Sequence, residues 1–356
     1  MWPSSSAHTI RVILDTKDYA KYPFLREAVE SIRETGLTLE DLERFDAVDD
    51  AKEKIKSVIT RGEYPSIDDY QNEVPAFLTC IVILSEIGDS ALSERFAVAF
   101  SKKVSENLKE EEKEERIEIA FHIASSVLGW SFDVDEKGTL IRLRYKDYLS
   151  GVPEYTGEWK LVNRLLDKGY VEVRKESFLR LIETGVKKYV LRLIEQTKVD
   201  EARIPPKLYS AVEEIASIWS KQREELLTYA RNASKGKRED LFPPCIRAII
   251  QDISAGKNLP HSARFALASF LLSVGFSVDE VLEVFKLSPD YREDIARYQV
   301  EHIAGMRGSR TKYLPYKCDN MRSYGLCRWR CENIRHPLQF FFKAARGRAP
   351  RVTELS

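Results

Sequence analysis

The stretch Lys317-Cys318-Asp319-Asn320-Met321-Arg322-Ser323-Tyr324-Gly325-Leu326-Cys327-Arg328-Trp329-Arg330-Cys331 holds three of the five cysteines in this 356-residue chain. Its thiols stand among Lys317, Arg322, Arg328 and Arg330, a polar setting with no reason to bury a thiol unless the thiol holds something. A fourth, Cys245, lies upstream, so the intervals between the four are 72, 8 and 3 residues. Zinc sites are usually built from two close cysteine pairs, and this chain does not have two such pairs. The wide, irregular cage suits an iron-sulfur cluster better, with structural zinc completed by His261, His302 or His336 as the alternative. Either ligand set would make the last third of the chain one domain, closed at one site. If Cys327 to Cys331 is helical, both sulfurs share a face. Cys80 differs: it sits in the apolar run Phe77-Leu78-Thr79-Cys80-Ile81-Val82-Ile83-Leu84 and reads as a small core residue.

The length allows two or three domains, each with its own core. There is no apolar run of membrane-spanning length, and Met1-Trp2-Pro3-Ser4-Ser5-Ser6 lacks the features of a signal peptide. The expected location is cytoplasmic, with no membrane partner and with thiols kept reduced for ligation. A formal net charge of zero hides a polarity: residues 241–356 carry 18 Lys and Arg against 11 Asp and Glu, and residues 297–351 carry 13 against 3. A basic segment that also holds Tyr298, Tyr313, Tyr316, Tyr324 and Trp329 suits phosphates and stacked bases.

Apolar positions recur every three or four residues through 20–128, as in Val29 and Ile32, Leu39, Leu42 and Phe45, and Phe96, Val98, Ala99 and Val104, which predicts helices. From Trp130 the period changes. Phe132 and Val134, then Ile141, Leu143 and Tyr145, alternate around Glu136-Lys137-Gly138 as a hairpin would. A short helix near 158–166, a strand over Gly169-Tyr170-Val171-Glu172-Val173 and an apolar helix from Phe178 to Ile194 follow. Ile204-Pro205-Pro206 opens a helix to about Ala230, and Asn232 to Asp240 reads as a linker. The fold class is therefore mainly α. Residues 1–129 and 198–231 are expected to form a helical domain, 130–197 a small α+β module, 232–240 a linker, and 241–356 a helical C-terminal domain for nucleic acid and for the thiol site, iron-sulfur or zinc.

Catalytic patterns are absent. Asp133 and Asp135 share a face of a strand, as metal-holding carboxylates would, but the pair runs straight into a turn and lacks a third carboxylate. No phosphate-binding glycine loop occurs. His261 and Arg264, at i and i+3 after Asn258-Leu259-Pro260, would turn the same way on a helix that begins near His261 and could grip a phosphate.

The stretches Tyr298 to Gly305 and Arg310 to Cys318, with Phe242-Pro243-Pro244-Cys245, Leu259-Pro260-His261-Ser262-Ala263-Arg264, Cys327 and Cys331, resemble the large, non-catalytic subunit of archaeal and eukaryotic DNA primases. The likeness is specific over about residues 241–343 and looser upstream, where the order of helices and mixed module agrees. It implies a 4Fe-4S cluster on Cys245, Cys318, Cys327 and Cys331. It also implies a C-terminal domain that binds single-stranded DNA template, the RNA or DNA primer end and the initiating nucleotide. The family's motif residues fall on His261, Arg264, Tyr298 and His302, with Arg310 and Lys312 in the same stretch. The expected partner is the small catalytic primase subunit, docked in a heterodimer on the 130–197 module through Tyr155, Trp159, Tyr170 and Phe178. The chain itself would be no enzyme. The alternatives are a stand-alone iron-sulfur nuclease or glycosylase and a zinc-stabilised nucleic-acid-binding scaffold.

Overall fold

The computed structural model describes residues 12–354 apart from 35, 37–40, 42–45, 68, 114–116, 136–139, 154–156, 199–203, 235–238 and 309. The chain divides into two compact units, Met1–Trp219 and Ser220–Ser356, and the described residues are mainly helical.

In the first unit, helices Ala47–Arg61, Glu73–Ile87 and Ser90–Lys113 pack around Phe24, Phe77, Phe96 and Phe100. Asp49 and Asp50 stand in the first turn of helix Ala47–Arg61, where acidic side chains favour the helix dipole. Inside this core Glu73 accepts hydrogen bonds from Lys54 Nζ and from the Tyr64 hydroxyl, both at 2.8 Å, so three buried polar groups satisfy one another. Burial, reinforced by the Glu73 charge, holds the Tyr64 phenol well above its usual pKa.

The expected hairpin forms from β1 (Phe132–Val134) and β2 (Leu140–Arg144); its turn, 136–139, lies outside the described residues. Together with β3 (Leu166–Asp167) and β4 (Tyr170–Arg174) it makes an antiparallel sheet of order β1-β2-β4-β3. Ile141, Leu143, Val171 and Val173 all point inward, while Arg142 faces Glu172 across the register on the other side, as period-two alternation requires. Asp135 caps the turn. Its backbone N–H donates to Leu140 O at 3.0 Å and its carboxylate accepts from Leu140 N–H at 2.9 Å, which accounts for a carboxylate at this position without catalysis.

Helix Lys175–Gln196 covers the inner face of the sheet, and the buried residues of sheet and helices form one continuous core. Trp130 fits there because Gly151 and Gly185 leave it room: a Cβ on either would come within 3.0 Å of the indole. Three sequence readings change. Residues 157–163 form two short 3-10 turns, Gly157–Trp159 and Leu161–Asn163, in place of a helix near 158–166; Asn163 donates to Gly157 O at 2.7 Å and closes the loop on itself. Tyr145 begins a helix, Tyr145–Gly151, instead of ending a strand. The helix opened at Pro206 runs to Ser234, through the first residues read as linker.

The second unit has its own core, built on Phe242, Phe270 and Phe276. Helix Pro244–Ser254 buries Ile246, Ile249 and Ile253 on one stripe, the spacing a helix face demands. Helix His261–Ser273 begins where Pro260 predicted. Helices Val278–Phe285, Glu293–Ile303, Cys318–Ser323 and Pro337–Ala345 follow. The sequence reading contains no strand here, yet β5 (Trp329–Cys331) pairs antiparallel with β6 (Val352–Glu354). Cys327 to Cys331 is therefore extended, and the shared helical face does not form.

Candidate metal and nucleic-acid site

Three separate segments deliver the four cysteines. Cys245 lies in the first turn of helix Pro244–Ser254, whose entry Pro243 and Pro244 fix. Cys318 opens helix Cys318–Ser323, and its N–H donates to Arg335 O at 3.0 Å. Cys327 precedes β5 and Cys331 ends it. The Cys245 thiol donates to the Cys327 sulfur, and this bond brings the Cys327 pKa down to about 6. The same bond, burial and the charges of Cys327, Cys318 and Cys331 push Cys245 up. Burial followed by the charges of Cys327 and Cys331 raises Cys318 to about 11, and burial raises Cys331 likewise. All four sulfurs thus share one electrostatic neighbourhood. Cys80 is elsewhere, fully buried, with its thiol donating to Ala51 O at 3.6 Å.

Among the described residues, no group of three or more His, Cys, Asp or Glu side chains is placed to hold a metal ion. A cluster makes a different demand, because each of four thiolates takes its own iron and the sulfurs need not converge on one point. The donor set is four soft ligands, which is the set a 4Fe-4S cluster takes. His336 does not compete for that role. Its Nδ1 accepts from Leu338 N–H at 3.2 Å and so caps helix Pro337–Ala345, and its Nε2 lies 3.0 Å from Pro315 O, so both ring nitrogens are engaged.

The proposed nucleotide contacts fall into two groups. His302 stacks between two tyrosines, at centroid distances of 6.4 Å to Tyr298 and 5.5 Å to Tyr313, with interplanar angles of 26° and 25°. Tyr298 and His302 meet because they are one turn apart on helix Glu293–Ile303. Gly308, at φ 66°, lies so close that a Cβ would come within 2.8 Å of His302 Nε2. Tyr298 is exposed, and the Arg307 guanidinium stands over its ring, 5.5 Å from the centroid. This ladder could take a base, and Tyr313 and Arg307 extend the pair that the sequence offers.

His261 is exposed at the start of its helix. Arg264 corrects the expectation of a free gripping pair. Its Nε donates to Leu259 O at 2.9 Å, and its Nη2 donates to Asn258 Oδ1 at 2.6 Å and to both Asp290 carboxylate oxygens at 2.7 Å. Ser288 in turn donates to Asp290 Oδ1 at 2.7 Å. The guanidinium is held in place by its own loops, and only Nη1 remains for a ligand. Lys312 reaches back to Leu272 O at 3.3 Å, while Arg310 is exposed in the left-handed region at φ 56°. Because Arg264 and Asp290 are only 25% and 15% exposed, Asp290→Ala is expected to cost the second unit about 1–3 kcal/mol by leaving buried donors unmatched. Thermal melting reads this, and an unchanged transition would mean that solvent already serves the guanidinium.

The expected partner anchors are not one surface. Tyr155 lies outside the described residues. Trp159 and Tyr170 are half-buried under Arg164 and Arg142, at 5.2 and 5.0 Å. Phe178 is wholly buried against Phe121, Trp130 and Phe132, so it is a core residue and cannot be an anchor. The most exposed apolar residues described in this region are instead Val162, Leu165 and Leu166, at 87%, 65% and 50%, on the loop and edge strand that replace the expected helix.

Residues 235–347 match the family described as the C-terminal domain of the eukaryotic and archaeal DNA primase large subunit. Over nearly the whole chain, the DNA primase large subunit of Methanococcoides burtonii is 31% identical, covering 92% of each chain. The chain belongs to the archaeal DNA primase large-subunit family. The large subunits of Methanocella arvoryzae, 29% identical over 95% of this chain and 92% of its own, and of Methanosarcina mazei, 30% over 93% and 89%, are similar along the same span. This primase large subunit has no helix among its described residues long and apolar enough to cross a membrane. Asp133 and Asp135, the carboxylates that most resemble a polymerase pair, belong to strand and turn.

Proposed function

We propose that this primase large subunit supports RNA primer synthesis in DNA replication by holding template and initiating nucleotide for a small catalytic partner, through a C-terminal domain built around a 4Fe-4S cluster. The observation that carries the reading is that four thiols from segments 72 residues apart in the sequence act on one another electrostatically, three of them in a polar stretch and Cys245 at the edge of an apolar core. Cys245, Cys318, Cys327 and Cys331 would hold the cluster, which when bound supplies a covalent tie among those segments. Two nucleotides on a template form too few pairs to stay together by themselves, so a second grip raises the effective concentration of the primer end at the partner's active site. In this chain the grip comes from exposed His261, the remaining Nη1 of Arg264, exposed Arg310 and the Tyr298–His302–Tyr313 ladder. Lys312 lends its charge from a fixed position.

The subunit is accessory and not catalytic. The catalytic partner is placed on the sheet region of the first unit, with Val162, Leu165 and Leu166 as its apolar contacts and Trp159 and Tyr170 beside them as stacked, half-buried support.

The test uses the complex with its small subunit. His261→Ala and Arg264→Ala are expected to lower primer initiation roughly ten- to a hundredfold, the worth of one charge-assisted contact at about 1.5–3 kcal/mol, while extension of a preformed primer stays close to the parent. Iron content and partner binding serve as controls. Equal initiation by parent and variants with both controls intact would remove these two residues from the nucleotide site.

A further inference from the structure

Between Arg328 and Arg351 the chain carries seven Lys and Arg against a single acidic residue, Glu332. The fold places this charge on one strand pair, one helix and the turns beside them. Arg330 faces Thr353 across the β5–β6 register, and the Thr353 hydroxyl donates to Arg330 O at 3.4 Å. Glu332 N–H donates to Arg351 O at 2.9 Å and extends the pairing by one residue. Helix Pro337–Ala345 lies against the same strand pair: Phe340 and Ala344 form a small core with Leu241 on which Cys331 and Ile334 pack, and Lys343 Nζ donates to Asn333 O at 3.2 Å.

Arg330, Arg346, Arg348 and Arg351 are exposed, and none makes an ion pair among the described residues. Clustered like charges repel, and pairing within the fold does not relieve these four. A polyanion would. Phosphate is not the only chemistry offered. Phe342 is 49% exposed on the helix, and the Arg328 guanidinium lies 5.4 Å from the Trp329 ring centroid, with the Glu354 carboxylate 3.7 Å from Arg328. Arginine forks with open π-faces suit a single strand, whose phosphates and unstacked bases are both within reach. The family match ends at residue 347, so Arg348, Arg351 and β6 lie beyond what it covers.

We propose that the β5–β6 strand pair and helix Pro337–Ala345 form a single-strand-binding track for the template, made of different residues from the His261 and Tyr298–His302–Tyr313 contacts. This deepens the template-binding reading above and rests on it. The full chain is titrated against fluorescein-labelled oligo(dT) by anisotropy between about 50 and 200 mM NaCl. The Arg330→Ala, Arg348→Ala, Arg351→Ala triple variant is expected to bind roughly tenfold or more weakly at low salt. Its log–log salt slope should be shallower by about 2, since each phosphate contact on a single strand contributes about 0.7. Phe342→Ala should weaken binding roughly fivefold or more with the slope unchanged, because stacking releases no counterions. Arg346→Glu with Arg348→Glu, in the turn after the helix and outside both strands, carries the same expectation if the triple variant misfolds by circular dichroism. Parental affinity and slope in these folded variants overturn the proposal, as does a loss confined to duplex DNA. If the parent itself fails to bind oligo(dT), the template-binding reading falls with it. If His261→Ala loses binding and the arginine variants do not, this surface alone is wrong.

Discussion

Replacing Cys327 by serine is expected to reduce bound iron to background and to lower the melting transition of the second unit by roughly 10 °C or more, leaving that of the first unit in place. Ligand binding to the native state alone is folding free energy, and here one site would join helix Pro244–Ser254 to the segment from Cys318 to Cys331. A loss of a few kcal/mol moves the transition of a domain this small by that much. The first unit has a continuous core of its own and should melt as before. Cys327 is the informative choice because Cys245 donates to it and Cys318 and Cys331 both respond to its charge. Full iron with unchanged melting would take Cys327 off the ligand list.

Phe178→Ala is expected to cost the first unit about 3–5 kcal/mol, the usual penalty for emptying a buried aromatic site. The ring is in contact with Phe121, Trp130 and Phe132 and has no exposed surface, so the cavity sits where sheet and helix meet. Leu165→Asp should do the reverse. The side chain is largely exposed, its removal should change stability by no more than about 0.5 kcal/mol, and co-purification with the small subunit should fall because a charge enters an apolar contact. Chemical denaturation separates the two variants. A Phe178→Ala protein of parental stability that fails to bind the partner would restore Phe178 to the interface.

That contrast shows where the sequence is legible. Aromatic residues in 130–197 look surplus to a small module, but the neighbouring helices complete a core large enough to take Phe178 and Trp130. Alternation over five residues marks β2 and β4 plainly, whereas Trp329–Cys331 is three residues long and pairs with a strand some twenty residues later, too short for any period to appear. The start of helix His261–Ser273 is legible because proline sets it. The bond from Arg264 to Asp290 is not, since nothing local links groups 26 residues apart. Three of the thiols are readable because cysteine in a charged segment has few reasons to be there, and the fold sets all four within electrostatic reach of one another from three elements.

The most direct test of the central claim is the iron, acid-labile sulfide and zinc content of the full chain purified without oxygen, in the parent and in variants of each of the four cysteines. A 4Fe-4S cluster on Cys245, Cys318, Cys327 and Cys331 gives a brown protein with about four irons and four sulfides per chain, lost when any one of the four is changed and retained when Cys80 is. A colourless protein with one zinc per chain, or iron indifferent to these four substitutions, would contradict it.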